Sequence, residues 1–166
     1  NAPLDMRFNP HQGISAAKYL KTSDIEEIEN IIKNYGEERN YRKIANNIYK
    51  AANKNEMNTS YDLKYAIEKV VNPRFLTKSL ARVFQAIRIK VNDELGALEE
   101  ALKKSTNLLE IGGRIAIISF HSLEDRIVKK FFFNNARKCI CPKEYPVCIC
   151  NTIPSLEILT RKALQP

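Results

Sequence analysis

Cysteine is absent from the chain except between Cys139 and Cys150, where all four copies fall, so no disulfide framework runs through the fold and any role they have is one local device. Long apolar runs are missing too; stretches such as Ile115 to Ile118 are far too short to cross a bilayer. The opening residues lack the basic start, apolar stretch and small-residue cleavage site of a secretory signal, so the expectation is a soluble, intracellular protein. Glycine and proline are scarce, 5 and 7 in 166 residues, and with 44% hydrophobic and 28% charged residues this excludes a collagen-like repeat or a disordered chain. No G-x-G phosphate loop and no helix-turn-helix or zinc-finger signature occurs. What is abundant is positive charge. Lys and Arg number 27 against 19 Asp and Glu, a net +8, which suits either a polyanionic partner such as nucleic acid or a solvated basic surface. The length allows one domain, or one core with a small appendage.

Residues 1 to 13 hold two prolines and a glycine without helical period and read as an extended loop. Ser23 with Glu26 has capping-box spacing, and Ile25, Ile28, Ile31 and Ile32 then recur on one face until Gly36 stops the helix. A second helix is expected from about Glu38 to Ala52, with Ile44, Ile48 and Ala51 on its apolar stripe and Arg39, Arg42 and Lys43 in its first turns. A third starts at Thr59-Ser60, uses Leu63, Ala66, Ile67 and Val70, and ends before Pro73. Together they read as a helical bundle of about 60 residues.

After Pro73, Leu80, Val83, Phe84, Ile87, Val91, Leu95, Leu98 and Leu102 keep helical spacing to about Leu109, with a bend expected near Asn92 to Gly96 and termination at Gly112-Gly113. Arg114 to Ser119 is a β-branched apolar run that reads as a buried strand, and Leu156 to Lys162 is a second candidate. A polar loop, 119 to 125, leads into a helix ending near Arg137. These are pieces of an open α/β sheet, in which ligands sit at the carboxyl ends of strands, so that loop is the first place to look for chemistry.

Four segments, Pro3-Leu-Asp-Met-Arg7, Phe84-Gln-Ala-Ile-Arg-Ile-Lys-Val-Asn92, Ile118-Ser-Phe-His-Ser-Leu-Glu-Asp-Arg126 and Leu159-Thr-Arg-Lys162, together resemble the small-subunit ribosomal RNA cytosine-N4 methyltransferases of the RsmH/MraW type, over nearly the whole chain. The resemblance implies methyl transfer from S-adenosyl-L-methionine (AdoMet) to the exocyclic amine of a cytidine. It also implies an α/β fold, a Rossmann-like methyltransferase sheet interrupted by an all-helical insertion, helix-rich in this part. On that basis 1–13 is a loop of the catalytic domain, 14–76 the insertion and 77–166 the C-terminal part of the core. Family members carry roughly a hundred or more additional N-terminal residues with the glycine-rich AdoMet loop. The chain therefore reads as a C-terminal fragment without the main cofactor-binding loops. Many members have a His-Pro-Ala-Thr run where this chain has Lys78-Ser-Leu-Ala81, so no role is carried to those positions. The expected partner is small-subunit ribosomal RNA, with a homodimer allowed and no membrane. The expected compartment is the cytoplasm, or the mitochondrion for a eukaryotic relative.

Cytosine N4 is a poor nucleophile because its lone pair is delocalised into the ring. Transfer needs the amine held in line at about 3 to 3.5 Å and acceptors for its N–H groups. Ser119, His121 and Asp125, with Asp5 from the first motif, are the candidate catalytic groups, His121 foremost as an acceptor, and Phe120 or Phe8 could stack on the base. Each has a structural alternative. Ser122 with Asp125 has the spacing of a helix cap, Asp5 with Arg7 that of a surface ion pair, and Gln85, Arg88 and Asn92 either line the pocket or hydrogen-bond the insertion. Arg39, Arg42 and Lys43 are the candidate RNA contacts, or else a solvated face. Cys139, Cys141, Cys148 and Cys150 suit a tetrahedral zinc site by number, although the single-residue spacers are atypical; free thiols in a loop are the alternative. The rival functional reading is a basic RNA- or ribosome-binding module without catalysis.

Overall fold

A computed structural model describes residues 2–142, 145, 147–160 and 164. The chain forms two compact units, Asn1–Glu94 and Leu95–Pro166.

The first unit is a helical bundle: α1 (Ala16–Thr22), α2 (Ile25–Asn34), α3 (Tyr41–Asn53), α4 (Ser60–Glu68), a 3-10 turn at Pro73–Phe75 and α5 (Leu76–Asn92). α2 packs on α3 and α5, α3 on α1 and α4, and α5 on α1 and α4. Periodic residues read from the sequence form its core: Ile28, Ile32, Ile44, Ile48, Leu63, Ile67, Val83 and Ile87 are fully buried, joined by Leu20 of α1. Each buried aliphatic side chain contributes about 1.5–3 kcal/mol relative to exposure, which is what makes short helices of this kind persist. Gly36 sits where α2 meets α5. A Cβ there would fall 2.6 Å from the Ile32 carbonyl oxygen and 2.9 Å from that of Arg82, so only glycine permits this approach.

Two boundaries differ from those expected. α2 is capped by Asp24, whose carboxylate accepts the Glu27 N–H at 2.7 Å, and not by Ser23, which closes α1 by donating its N–H to the Tyr19 carbonyl. α1 itself, capped by Ser15, is too short for a periodic signal. α3 begins at Tyr41 because Glu37 takes a left-handed φ of 49° and Glu38 turns inward, accepting from Ser79 Oγ at 2.9 Å. Arg39 therefore lies in the turn before α3. α4 has the expected start, a reciprocal capping box between Thr59 and Asp62.

The expected bend also appears. α5 ends where Asp93 adopts φ 49°, and α6 (Glu94–Leu108) begins anew. In the second unit α6 buries Leu102 and α7 (Ser122–Asn135) buries Leu123. The run 114–119 is not a strand, contrary to its composition, and neither is 156–160; residues 161 and 162 lie outside the described residues. A strand exists only through its pairing, and the sole β pairing among the described residues is an isolated bridge between Pro3 and Thr59. Ile118 is accordingly 82% exposed. Among the described residues no helix is long and apolar enough to cross a membrane.

Candidate functional site

The loop before α7 is organised by His121. Its Nδ1 accepts the Glu124 N–H at 3.4 Å, while Glu124 Oε2 accepts the N–H groups of Phe120 at 2.7 Å and His121 at 3.3 Å. This reciprocal capping box replaces the Ser122–Asp125 cap expected from spacing, because the histidine ring nitrogen does the work of a hydroxyl. The consequence is chemical. With Nδ1 as acceptor, a neutral ring carries its proton on Nε2, and that nitrogen is buried 3.5 Å from Glu124 Oε1, without a hydrogen bond among the described residues. In that tautomer the second ring nitrogen is a donor. Asp125 donates its N–H to the His121 carbonyl and pairs with Lys129 at 2.7 Å; Ser119 and Phe120 are exposed, Phe120 at 89%.

In the first unit Arg7 forks onto Asp5, Nε to Oδ1 at 2.6 Å and Nη2 to Oδ2 at 2.9 Å, which holds the Asp5 carboxyl below the usual carboxylate range. The carbonyls of Leu4 and Asp5 accept the Ala17 and Ala16 N–H groups, so the motif satisfies donors at the start of α1. Between Asp5 and Arg7, Met6 is left-handed at φ 64°. Asn92, at the end of α5, grips this kink from both sides: its Nδ2 donates to the Met6 carbonyl at 2.8 Å and its Oδ1 accepts the Phe8 N–H at 2.8 Å. Two motif segments more than eighty residues apart are thus joined by one carboxamide. Gln85 donates to the Tyr35 carbonyl and Arg88 forks onto Glu94, so these two side chains tie elements of the bundle together.

Arg39, Arg42 and Lys43 are all exposed. Arg42 lies over the Tyr41 ring at 5.4 Å, and Lys33 over the same ring at 5.5 Å. A second basic face was not read from the sequence. On α4, half-exposed Tyr61 and Tyr65 stack in parallel with centroids 6.4 Å apart, Lys64 lies over Tyr61 and Lys69 over Tyr65, the latter at 4.2 Å. The signal available was an i, i+4 tyrosine pair interleaved with lysines. Planar rings edged with cations are what stack on nucleobases while neutralising phosphates.

The four cysteine sulfurs of the second unit lie within 4.8 Å of one another, a cluster able to coordinate a metal ion. Hydrogen bonds from the Thr152 hydroxyl at 3.0 Å and the Ile140 N–H at 3.4 Å push Cys150 down to about 5.

Comparison with known proteins places this chain in a methylase class. A family model described as the MraW methylase family matches residues 1–166. The chain is 46% identical, over 99% of its length, to the ribosomal RNA small subunit methyltransferase H of Dehalococcoides mccartyi, of which it covers 47%. The corresponding values are 46%, 99% and 53% for that of Heliobacterium modesticaldum, and 42%, 100% and 54% for that of Clostridium botulinum. The chain belongs to the MraW methylase family. It spans about half the length of the curated relatives it matches.

Proposed function

We propose that this chain forms part of an AdoMet-dependent methyltransferase acting on N4 of a cytidine in small-subunit ribosomal RNA, in the cytoplasm. The observation that carries the reading is the family match along the whole chain, to relatives named as ribosomal RNA small subunit methyltransferases. The division into a catalytic-domain loop at 1–13, a helical insertion at 14–76 and a core portion at 77–166 is part of the proposal. So is the pairing of the 114–119 run with strands of the family's sheet, which gives its exposed isoleucines a place to be buried.

AdoMet would supply the methyl group. Among the described residues no strand passes through a glycine turn into a helix, the arrangement that cradles such a cofactor, so no AdoMet contact is assigned to them. Their contribution is to the nucleotide. His121 would turn an Nε2–H donor, now buried 3.5 Å from Glu124 Oε1, to the ring nitrogen or carbonyl oxygen of cytosine, fixing the base with its amine in one orientation. Beside it in the second unit Ser119 and Asp125 supply acceptors for the amine protons, and Phe120, largely exposed, supplies a face for an unstacked base; Asp5 and Phe8, in the first unit, are candidates from the sequence alone.

The test is incorporation of labelled methyl from AdoMet into small subunits that lack the modification, using the full-length protein. Label in one cytidine at N4 supports the reading. Tight subunit binding with no incorporation would favour a non-catalytic RNA-binding module, the reading that the α4 tyrosine–lysine face alone would suggest. RNA contact by the basic turn has its own measurement. Replacing Arg39, Arg42 and Lys43 together by Gln should weaken binding across sequences and flatten the log–log salt dependence by roughly two to three units of slope. Identical slopes for variant and parent would remove this turn from the interface.

A further inference from the structure

The cysteine segment is an internal repeat, Cys139-Ile-Cys141 and Cys148-Ile-Cys150, and the structure treats its two halves alike. The Ile140 N–H donates to Cys150 Sγ, and the Ile149 N–H donates to Cys141 Sγ, each at 3.4 Å. Each tripeptide thus offers the amide of its middle residue to the last sulfur of its own pair's counterpart. In extended backbone, residues i and i+2 share a side, so a single spacer places two thiols together and sends the isoleucine the other way. Ile140 and Ile149 are 60% and 67% exposed, as this requires. The sulfurs of Cys148 and Cys150 are 3.5 Å apart and those of Cys150 and Cys139 3.8 Å. Four sulfurs at the usual zinc–sulfur distance of about 2.3 Å in a tetrahedron lie about 3.8 Å from one another.

We propose that Cys139, Cys141, Cys148 and Cys150 form a closed structural zinc site. Four thiols each lose a proton and form one sulfur–zinc bond, giving a tetrathiolate centre of net charge −2; Arg137 and Lys138 immediately precede the first ligand. Amide N–H groups directed at sulfur suit thiolates, whose charge makes them far better acceptors than the sulfurs of a disulfide. Two disulfides would instead draw the sulfurs together in pairs at about 2 Å. No coordination position is left open, so the ion holds structure and performs no chemistry on substrate.

The segment has a physical need for such a staple. Val147, Ile149 and Ile153 are mostly exposed, so the described apolar residues of the excursion after α7 do not fix it by burial. Its base is already closed, since the Ser155 and Leu156 N–H groups both donate to the Asn135 carbonyl at the end of α7. Zinc would close its tip.

The experiment is metal analysis of the full-length protein, purified under reducing conditions without chelator or added metal, followed by exchange with Co²⁺. One zinc per chain is expected, and the cobalt form should show the thiolate charge-transfer and intense visible bands of a tetrahedral sulfur site. Cys141→Ser combined with Cys148→Ser should lower zinc content to about a tenth or less and speed proteolysis between residues 138 and 152, while helicity by circular dichroism is kept. Wild-type protein of full helicity that carries no zinc and gives no cobalt–thiolate band would overturn the site. So would a freshly purified mass lighter by four hydrogens, the signature of two disulfides, and so would a double variant that retains the wild-type zinc content.

Discussion

His121→Ala is expected to lower methyl transfer by the full-length protein about 100-fold, the usual cost of one preorganised donor at a reacting group, while RNA affinity changes by less than about tenfold. The difficulty is that His121 also caps α7, and cap loss alone costs about 1 kcal/mol and loosens the loop that carries Ser119 and Phe120. His121→Ser separates the two roles. Serine followed three residues later by Glu124 is an ordinary capping box, so α7 should keep its start and the protein its melting temperature, with no ring nitrogen left to donate. Transfer should therefore stay low in the serine variant while stability returns. Single-turnover rates measured beside thermal unfolding make the distinction. A serine variant with wild-type rate would reduce His121 to a cap.

The same residue shows where sequence reading stops. Thr59 with Asp62 and the isoleucines of α2 and α3 were legible because capping and helical burial depend on neighbours three and four positions away. Histidine is absent from the usual cap residues, so spacing directed attention to Ser122 and Asp125, one position late. Arg39 was misplaced for a related reason: the inward turn of Glu38 toward Ser79 is a contact across forty-one residues, invisible to local pattern. The run 114–119 failed more instructively. Its β-branched residues specify a strand that must be buried on both faces, and the described residues supply no second strand to pair with it. Composition reports what a segment needs, and only topology reports whether the need is met. The single-residue cysteine spacers are atypical of zinc sites taken pair by pair, whereas the two halves answer each other through Ile140 and Ile149, a relation across the loop that spacing does not show.

Asn92 is the second position where a large effect is expected. Its Nδ2–H donates to the Met6 carbonyl and its Oδ1 accepts the Phe8 N–H, while the same nitrogen reaches the Arg88 carbonyl in the last turn of α5 at 2.9 Å. A carboxamide puts the donor and the acceptor on separate atoms, so one short side chain can serve both sides of the kink. Met6 is held at φ 64°, which costs a non-glycine residue about 1–2 kcal/mol, and the clamp across the kink offsets that cost. Asn92→Ala should release it: amide exchange at Phe8 and Arg7 should quicken, Phe8 should lose its fixed position, and methyl transfer should fall up to about 100-fold through misplacement of the Asp5 loop. Asn92→Asp should be no milder, despite its near-identical shape. It keeps the acceptor for Phe8 but sets a carboxylate oxygen against the Met6 carbonyl, where two acceptors repel and no proton lies between them. Because Asn92 acts through the loop and not on the nucleotide, both variants should bind RNA through the basic faces of α3 and α4 nearly as the parent does. The decisive measurement is hydrogen exchange at the Phe8 amide in the aspartate variant: protection equal to the parent's would mean that the Met6 kink is held by something other than Asn92.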